Sequence, residues 1–167
     1  MPNPNEQLIE SFYAAFLRRD PTAMIACYAP DIRFSDPVFR DLAGPRVGAM
    51  WRMLGQGVRR IEMTYRDIHA DDRTGRAHWE ARYIFTPTGR EVHNIIDASF
   101  ELRDGKIVRH TDHFDLWRWA VLALGWKGRL LGWSPLVQNA VRKTAMAKLA
   151  EFESRQQDPD QGAAGAG

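Results

Sequence analysis

The fold of this chain is decided by residues 77–116, AHWEARYIFTPTGREVHNIIDASFELRDGKIVRHTDHFDL. Ala77, Trp79, Ala81, Tyr83 and Phe85 alternate with His78, Glu80 and Arg82, the period of two expected of a strand with one buried face. Pro87-Thr-Gly-Arg90 then turns the chain, residues 91–103 read as a long strand, Arg103-Asp-Gly-Lys106 turns it again, and residues 107–114 return. Upstream, Ile61, Met63 and Tyr65 alternate with Glu62, Thr64 and Arg66 in a stretch that starts near residue 58, and Asp71–Gly75 joins it to the next strand. Consecutive hairpins of this length predict a curved antiparallel sheet.

The segments before the hairpins change period. Leu8, Ile9, Phe12, Tyr13, Phe16 and Leu17 form the stripe of an amphipathic helix over residues 5–19, with Asn5 as its expected cap. Asp20-Pro21 reads as an N-cap followed by proline at the first helical position, opening a short helix to about Tyr28 that Ala29-Pro30 closes. Asp31–Ser35 alternates as a strand and stops at Asp36-Pro37. Val47, Met50, Trp51 and Leu54 mark another helix, ended by Gly55 and Gly57. Helices gathered at the N-terminus ahead of the hairpins predict an α+β domain, a cone-shaped sheet enclosing a pocket, over residues 1–115. Residues 116–155 read as a Trp-rich helical extension, with Ser134-Pro135 opening a last helix that carries Leu136, Val137, Val141, Met146 and Leu149. Residues 156–167 are small and polar and are expected to be disordered.

Composition bounds the partners. The chain has 167 residues and a net charge of +2 from 23 basic and 21 acidic side chains, scattered apart from small clusters such as Arg59-Arg60, so a nucleic-acid partner is not expected. Cys27 is the single cysteine and lies in an apolar run, which suits a buried structural thiol in a reducing compartment. The first residues show no basic region followed by an apolar core, so a cytoplasmic location is the expectation.

The order helix, helix, strand ending in Asp36-Pro37-Val38, helix, then hairpin strands resembles the nuclear transport factor 2-like superfamily, which includes ketosteroid isomerase, limonene epoxide hydrolase and SnoaL-type polyketide cyclases. Pro87–Arg90 through Gly105 to Asp112–Leu116 is similar to the last two strands of the hydrolase, and Phe34–Val38 with Ile96-Asp97 is similar to two segments of the isomerase. The resemblance implies a cofactor-independent enzyme acting on a small hydrophobic carbonyl compound, and a homodimer. In the isomerase pattern Asp36 would be the proton-shuttling base and Asp97 the neutral oxyanion donor. The third member of that site is a tyrosine on the first helix, where this chain has Phe12, with Tyr13 one residue and about 100° away. In the hydrolase pattern Asp112 matches one acid of an Asp–Arg–Asp set, but the other two places hold Trp79 and Ala81, so epoxide hydrolysis by that set is not expected.

Strand parity completes the candidate site. Asp97 shares a face with His93 and Ser99, and Asp112 with His110 and Phe114. With Trp79, Tyr83 and Phe85 on the concave face, and Phe12, Tyr13 and Trp51 on the covering helices, the expectation is an apolar cup holding Asp97, Asp36, Asp112 and His110 as acid–base groups. Asp97 ranks first, because a lone carboxylate among Ile95, Ile96, Ala98 and Phe100 is costly without a purpose. Each acid also has a plainer reading: Asp36 as a turn residue accepting backbone N–H bonds, Asp112 and His110 as a structural pair. No metal site is expected, since parity separates His113 from His110 and Asp112. The alternatives are a non-catalytic ligand-binding protein of the same fold, or an interaction protein whose Trp-rich segment 116–133 lies on a membrane surface, a less favoured partner than a small hydrophobic molecule.

Overall fold

A computed structural model describes residues 3–57 and 60–157; the start of the expected strand near residue 58 and nearly all of the expected disordered tail fall outside the described residues. Helix α1 spans Pro4–Leu17 and α2 spans Pro21–Ala26. Asp20 caps α2 as expected, accepting from the Ala23 amide at 3.0 Å. The cap of α1 is Asn3 rather than Asn5: Pro4 already takes the first helical position, so the residue with extended backbone is Asn3, whose side chain accepts from the Asn5 amide at 2.9 Å.

Strand β1 spans Tyr28–Ser35, β2 Leu42–Ala43, β3 Ile61–Ala70, β4 Thr74–Phe85, β5 Arg90–Arg103 and β6 Lys106–His113, with helix α3 at Pro45–Gly57. They form one sheet in the order β2-β1-β6-β5-β4-β3. The three long hairpin strands and β6 pair antiparallel, whereas β1 runs parallel to β6. That parallel pairing takes Tyr28 out of the expected helix and places it, with Ala29 and Pro30 that were expected to close the helix, in a strand, Tyr28 lying beside Ile107. The register then shifts between Tyr28 and Arg33, the stretch that contains Pro30, which donates no ladder hydrogen bond.

Alternation along β5 is regular. Val92, Asn94, Ile96, Ala98, Phe100 and Leu102 are buried, while Ile95, Asp97, Ser99 and Glu101 are exposed. Helices α1 and α3 cover the concave face, and the core they enclose includes Ile9, Phe12, Tyr13, Phe34, Met50, Trp51 and Trp79.

Three helices follow the sheet: α4 (Leu116–Leu124), α5 (Trp126–Leu131) and α6 (Pro135–Gln157). Asp115 caps α4, accepting from the Arg118 amide at 3.0 Å. Arg118 then donates to the His93 carbonyl at 2.6 Å, and Arg90 to the Leu122 carbonyl at 2.8 Å, so α4 is tied along β5. Helix α6 docks on α3 through buried Leu149 and the Arg46–Glu153 ion pair at 3.0 Å. Leu136, expected on the docked stripe of α6, points to solvent instead, because the start of α6 overhangs that contact. Among the described residues no helix is long and apolar enough to cross a membrane.

Candidate functional site

Strand β6 delivers two polar side chains to the concave face, His110 and Asp112, both buried. Their parity was legible in the sequence, but the network around them draws on three other elements, β1, α3 and β4. Trp51 of α3 donates its indole N–H to the Tyr28 hydroxyl at 3.0 Å, and the Tyr28 hydroxyl lies 2.7 Å from His110 Nδ1. His110 Nε2 lies 3.1 Å from Asp112 Oδ1, and Trp79 of β4 donates to the same oxygen at 3.2 Å. One assignment uses every hydrogen once: Tyr28 O–H donates to Nδ1, and the neutral imidazole donates from Nε2 to an ionised Asp112. The chain Trp51–Tyr28–His110–Asp112–Trp79 thus holds one carboxylate with fixed N–H donors in an apolar surround.

Tyr28 was not anticipated. Nothing local marks it, because its role arises from the parallel β1–β6 pairing that sets it near a residue 82 positions away. Burial pushes its hydroxyl well above the ordinary tyrosine value, with the Asp112 charge adding to the rise.

Phe12 and Tyr13 both enter the core, although about 100° separates them on α1. An inward stripe about 100° wide accommodates two neighbours on a helix. Phe12 packs edge-on to His110 with ring centroids 5.3 Å apart, and Tyr13 stacks on Tyr65 at 5.4 Å. The Tyr13 hydroxyl is buried and has no hydrogen-bond partner. Burial raises its pKa well above the ordinary value, and the nearby Asp112 charge raises it further.

The inner end of the cup is therefore filled rather than hollow. Phe12, Trp51 and Trp79, expected to line a ligand, are packed core side chains. The mouth is different. Asp36 follows β1 and its Oδ1 accepts from the amides of Val38 at 2.7 Å and Phe39 at 2.5 Å, the turn role anticipated for an Asp before proline. It is nevertheless only partly exposed, and burial raises its pKa to about 7, helped by the Asp112 charge and opposed by the two amides. Tyr83 stands within electrostatic reach of Asp36, its own pKa raised by burial. Trp119 of α4 donates to the Tyr83 hydroxyl at 2.8 Å and packs edge-on to Phe85 at 5.3 Å, which ties α4 to the end of β4. Phe114, at the end of β6, packs partly buried against the core.

Asp97 and His93 lie elsewhere. Pairing sets Asp97 opposite His78 and Trp79 opposite Ile96, so Asp97 is on the convex face, its carboxylate 77% exposed. There Asp97 Oδ1 is 2.8 Å from His78 Nδ1, and Glu80 joins His78 at 3.3 Å to His93 at 2.6 Å. The correction has a simple cause: parity within β5 groups Asp97 with His93, as expected, and it is the other group, with Ile96, Ala98 and Phe100, that faces the helices. A surface groove of about 480 Å³ lined by Asp67, His69, Arg76, His78 and Asp97 runs along this outer face.

The SnoaL-like domain family matches residues 9–110, over half of the chain, a span that includes Tyr28, Trp51, Trp79 and His110 and ends two residues before Asp112. The chain belongs to this family. Solved structures agree with that placement. A candidate polyketide cyclase from Xanthomonas campestris pv. campestris is 25% identical, the match covering 71% of this chain and 96% of that one with a TM-score of 0.61. An LEH-like epoxide hydrolase from M. tuberculosis is 24% identical over 80% of this chain and 95% of its own, TM-score 0.60. An NTF2-like protein of unknown function from Burkholderia pseudomallei is 20% identical over 68% and 92%, TM-score 0.60. No curated protein matches the sequence. The chain thus has the nuclear transport factor 2-like cone fold that the sequence resemblance implied. The hydrolase likeness is one of fold: Trp79 and Ala81, in the places where the hydrolase set needs polar groups, are both buried apolar wall.

Proposed function

We propose that the mouth of the cone binds a small hydrophobic carbonyl compound and that Asp36 moves a proton on it, in an isomerase- or cyclase-type reaction needing no cofactor. The observation that carries this reading is the Tyr13 hydroxyl, buried without a partner and within electrostatic reach of Asp112. A buried hydroxyl left unsatisfied costs about 1–3 kcal/mol, so its retention is explained if a ligand oxygen accepts from it. Asp36 supports the same reading, because a base poised near neutral pH both takes and returns a proton readily.

The Asp36 carboxylate takes the proton from the carbon next to the carbonyl, and the C–H electron pair moves to the carbonyl oxygen as an enolate, which accepts from Tyr13 O–H. Return of the proton from Asp36 to a different carbon gives an isomer. Attack of the enolate carbon on a second carbonyl carbon gives a ring, with the proton passing to the new alkoxide. Asp112, already accepting from His110 and Trp79, is a positioning residue whose fixed charge keeps the proton on Tyr13.

The test is a panel of enones and lactone-forming esters turned over by the wild type, Asp36→Asn, Tyr13→Phe and Asp112→Asn. Asp36→Asn is expected to lower kcat by about 10²- to 10⁴-fold, and Tyr13→Phe by a smaller factor in that range. Equal rates in all four proteins would remove the enzyme reading. Binding of a panel member without turnover by any of them would favour a carrier of the same fold, a role consistent with Asp36 Oδ1 serving its own turn.

A further inference from the structure

The helices beyond the sheet show an amphipathic pattern turned inside out. On α5 the smallest residues face the protein: a Cβ on Gly128 would sit 1.9 Å from the Ala120 carbonyl oxygen, and one on Gly132 would sit 2.8 Å from the Ala120 Cβ. Both glycines are buried, so α4 and α5 touch backbone to backbone. The largest residues face out, with Trp126 69% exposed, Leu130 60%, Trp133 63% and Leu136 81%, Leu131 beside them. Trp126 and Leu130 stand one turn apart on α5, and Trp133, in the turn that follows, donates its indole N–H to the Leu130 carbonyl at 3.0 Å, which holds that ring beside the helix. A soluble helix normally does the reverse, and several large apolar side chains exposed together mark an interaction surface.

Charge decides what the surface meets. Between Leu116 and Ala150 lie six of the 23 basic side chains and none of the 21 acidic ones. Lys127 and Arg129 are exposed among the apolar residues, the Lys127 ammonium 5.9 Å from the centre of the Trp126 ring. A second copy meeting this face symmetrically would bring Lys127 and Arg129 against their own kind, with no acid in the segment to pair them. A partner must instead be apolar and negatively charged over a broad area. We infer that the α5 face docks the protein on the surface of a bilayer containing anionic lipids, with Trp126, Leu130 and Trp133 entering the headgroup boundary and Lys127 and Arg129 meeting the headgroups. This mode of attachment lies on the membrane and needs no spanning helix.

The full chain is sedimented with vesicles of phosphatidylcholine alone and with vesicles of phosphatidylcholine and phosphatidylglycerol. Wild type is expected to pellet with the anionic vesicles, to blue-shift its tryptophan emission there, and to stay in solution with the neutral ones. Trp126→Ser with Trp133→Ser should abolish both signals. Lys127→Glu with Arg129→Glu should weaken partitioning about tenfold or more, as should raised salt. All four positions are solvent-facing, so circular dichroism and the panel turnover are expected to match wild type. Wild type remaining in solution with both vesicle types overturns the inference. Unchanged binding by the two double variants overturns it as well. A wild-type dimer that Trp126→Ser with Trp133→Ser makes monomeric, without vesicle binding, would assign the face to contact between copies.

Discussion

The two faces of the sheet carry nearly the same side chains and put them to different ends. On the concave side His110 sits 3.1 Å from Asp112, and on the convex side His78 sits 2.8 Å from Asp97. Inside, the pair is buried, and Trp79 and Tyr28 take the remaining hydrogen bonds. Outside, Asp97 is largely in water, and Glu80 bridges His78 to His93. Residue type alone therefore ranks neither pair. Where no water can replace a lost partner, a histidine and an acid form a site; where water can, they decorate a surface.

Breaking the inner pair should have the largest effect. Asp112→Ala leaves the His110 and Trp79 N–H groups buried without an acceptor, at about 1–3 kcal/mol each, and a large drop in the urea midpoint is expected. A midpoint unchanged from wild type would mean that the inner face is as wet as the outer one.

The mouth should show an intermediate effect with a definite sign. The Asp36 carboxyl holds its proton more tightly folded than unfolded, its pKa being about 7 against about 4 for a free carboxyl. The folded state is then favoured at low pH, and this contribution is lost as pH rises from about 4 to about 7, by at most about 1.4 kcal/mol per unit. Asp36→Asn should therefore be more stable than wild type at pH 8 and differ little from it at pH 4, in parallel urea titrations. Glu80 on the outer face has the opposite sign: bonds from His93 and His78 lower its pKa, so its contribution is present above the ordinary glutamate value and is lost as pH falls through the folded one.

The smallest effect belongs to Asp97. Asp97→Asn removes one exposed partner of His78, and a change within about 0.5 kcal/mol is expected, with turnover on the panel unaltered. A loss of turnover comparable to that of Asp36→Asn would reverse the assignment of the two faces.

Much of this was legible beforehand, and the misses have identifiable causes. The hairpins at Asp71–Gly75, Pro87–Arg90 and Arg103–Lys106 were readable because turn residues and a period of two are local properties. The Asp20 cap was readable for the same reason. The misplacement of Asp97 had an available remedy: positions 92, 96, 98, 100 and 102 of β5 are Val, Ile, Ala, Phe and Leu, whereas 91, 93, 97, 99, 101 and 103 are all polar. The exposed Ile95 interrupts that second set, and it made Asp97 look stranded among apolar neighbours. No such signal existed for Tyr28, whose partner depends on a parallel pairing across most of the domain. Nor did one exist for α5, where exposure of Trp126 and Trp133 follows from the close contact that Gly128 makes with α4.

By itself, then, the sequence determined which residues share a strand face and where the chain turns, because these follow from neighbours a few positions apart, and its motifs carried the resemblance to a SnoaL-like cone. Only the tertiary structure decided which of two His–Asp pairs is sealed from water, that Tyr13 carries an unpaired hydroxyl into the core, and that Trp126 and Trp133 are left outside. Each of those outcomes depends on register or packing between segments far apart in the chain, and burial, which sets the strength of every polar group here, exists only once those segments have met.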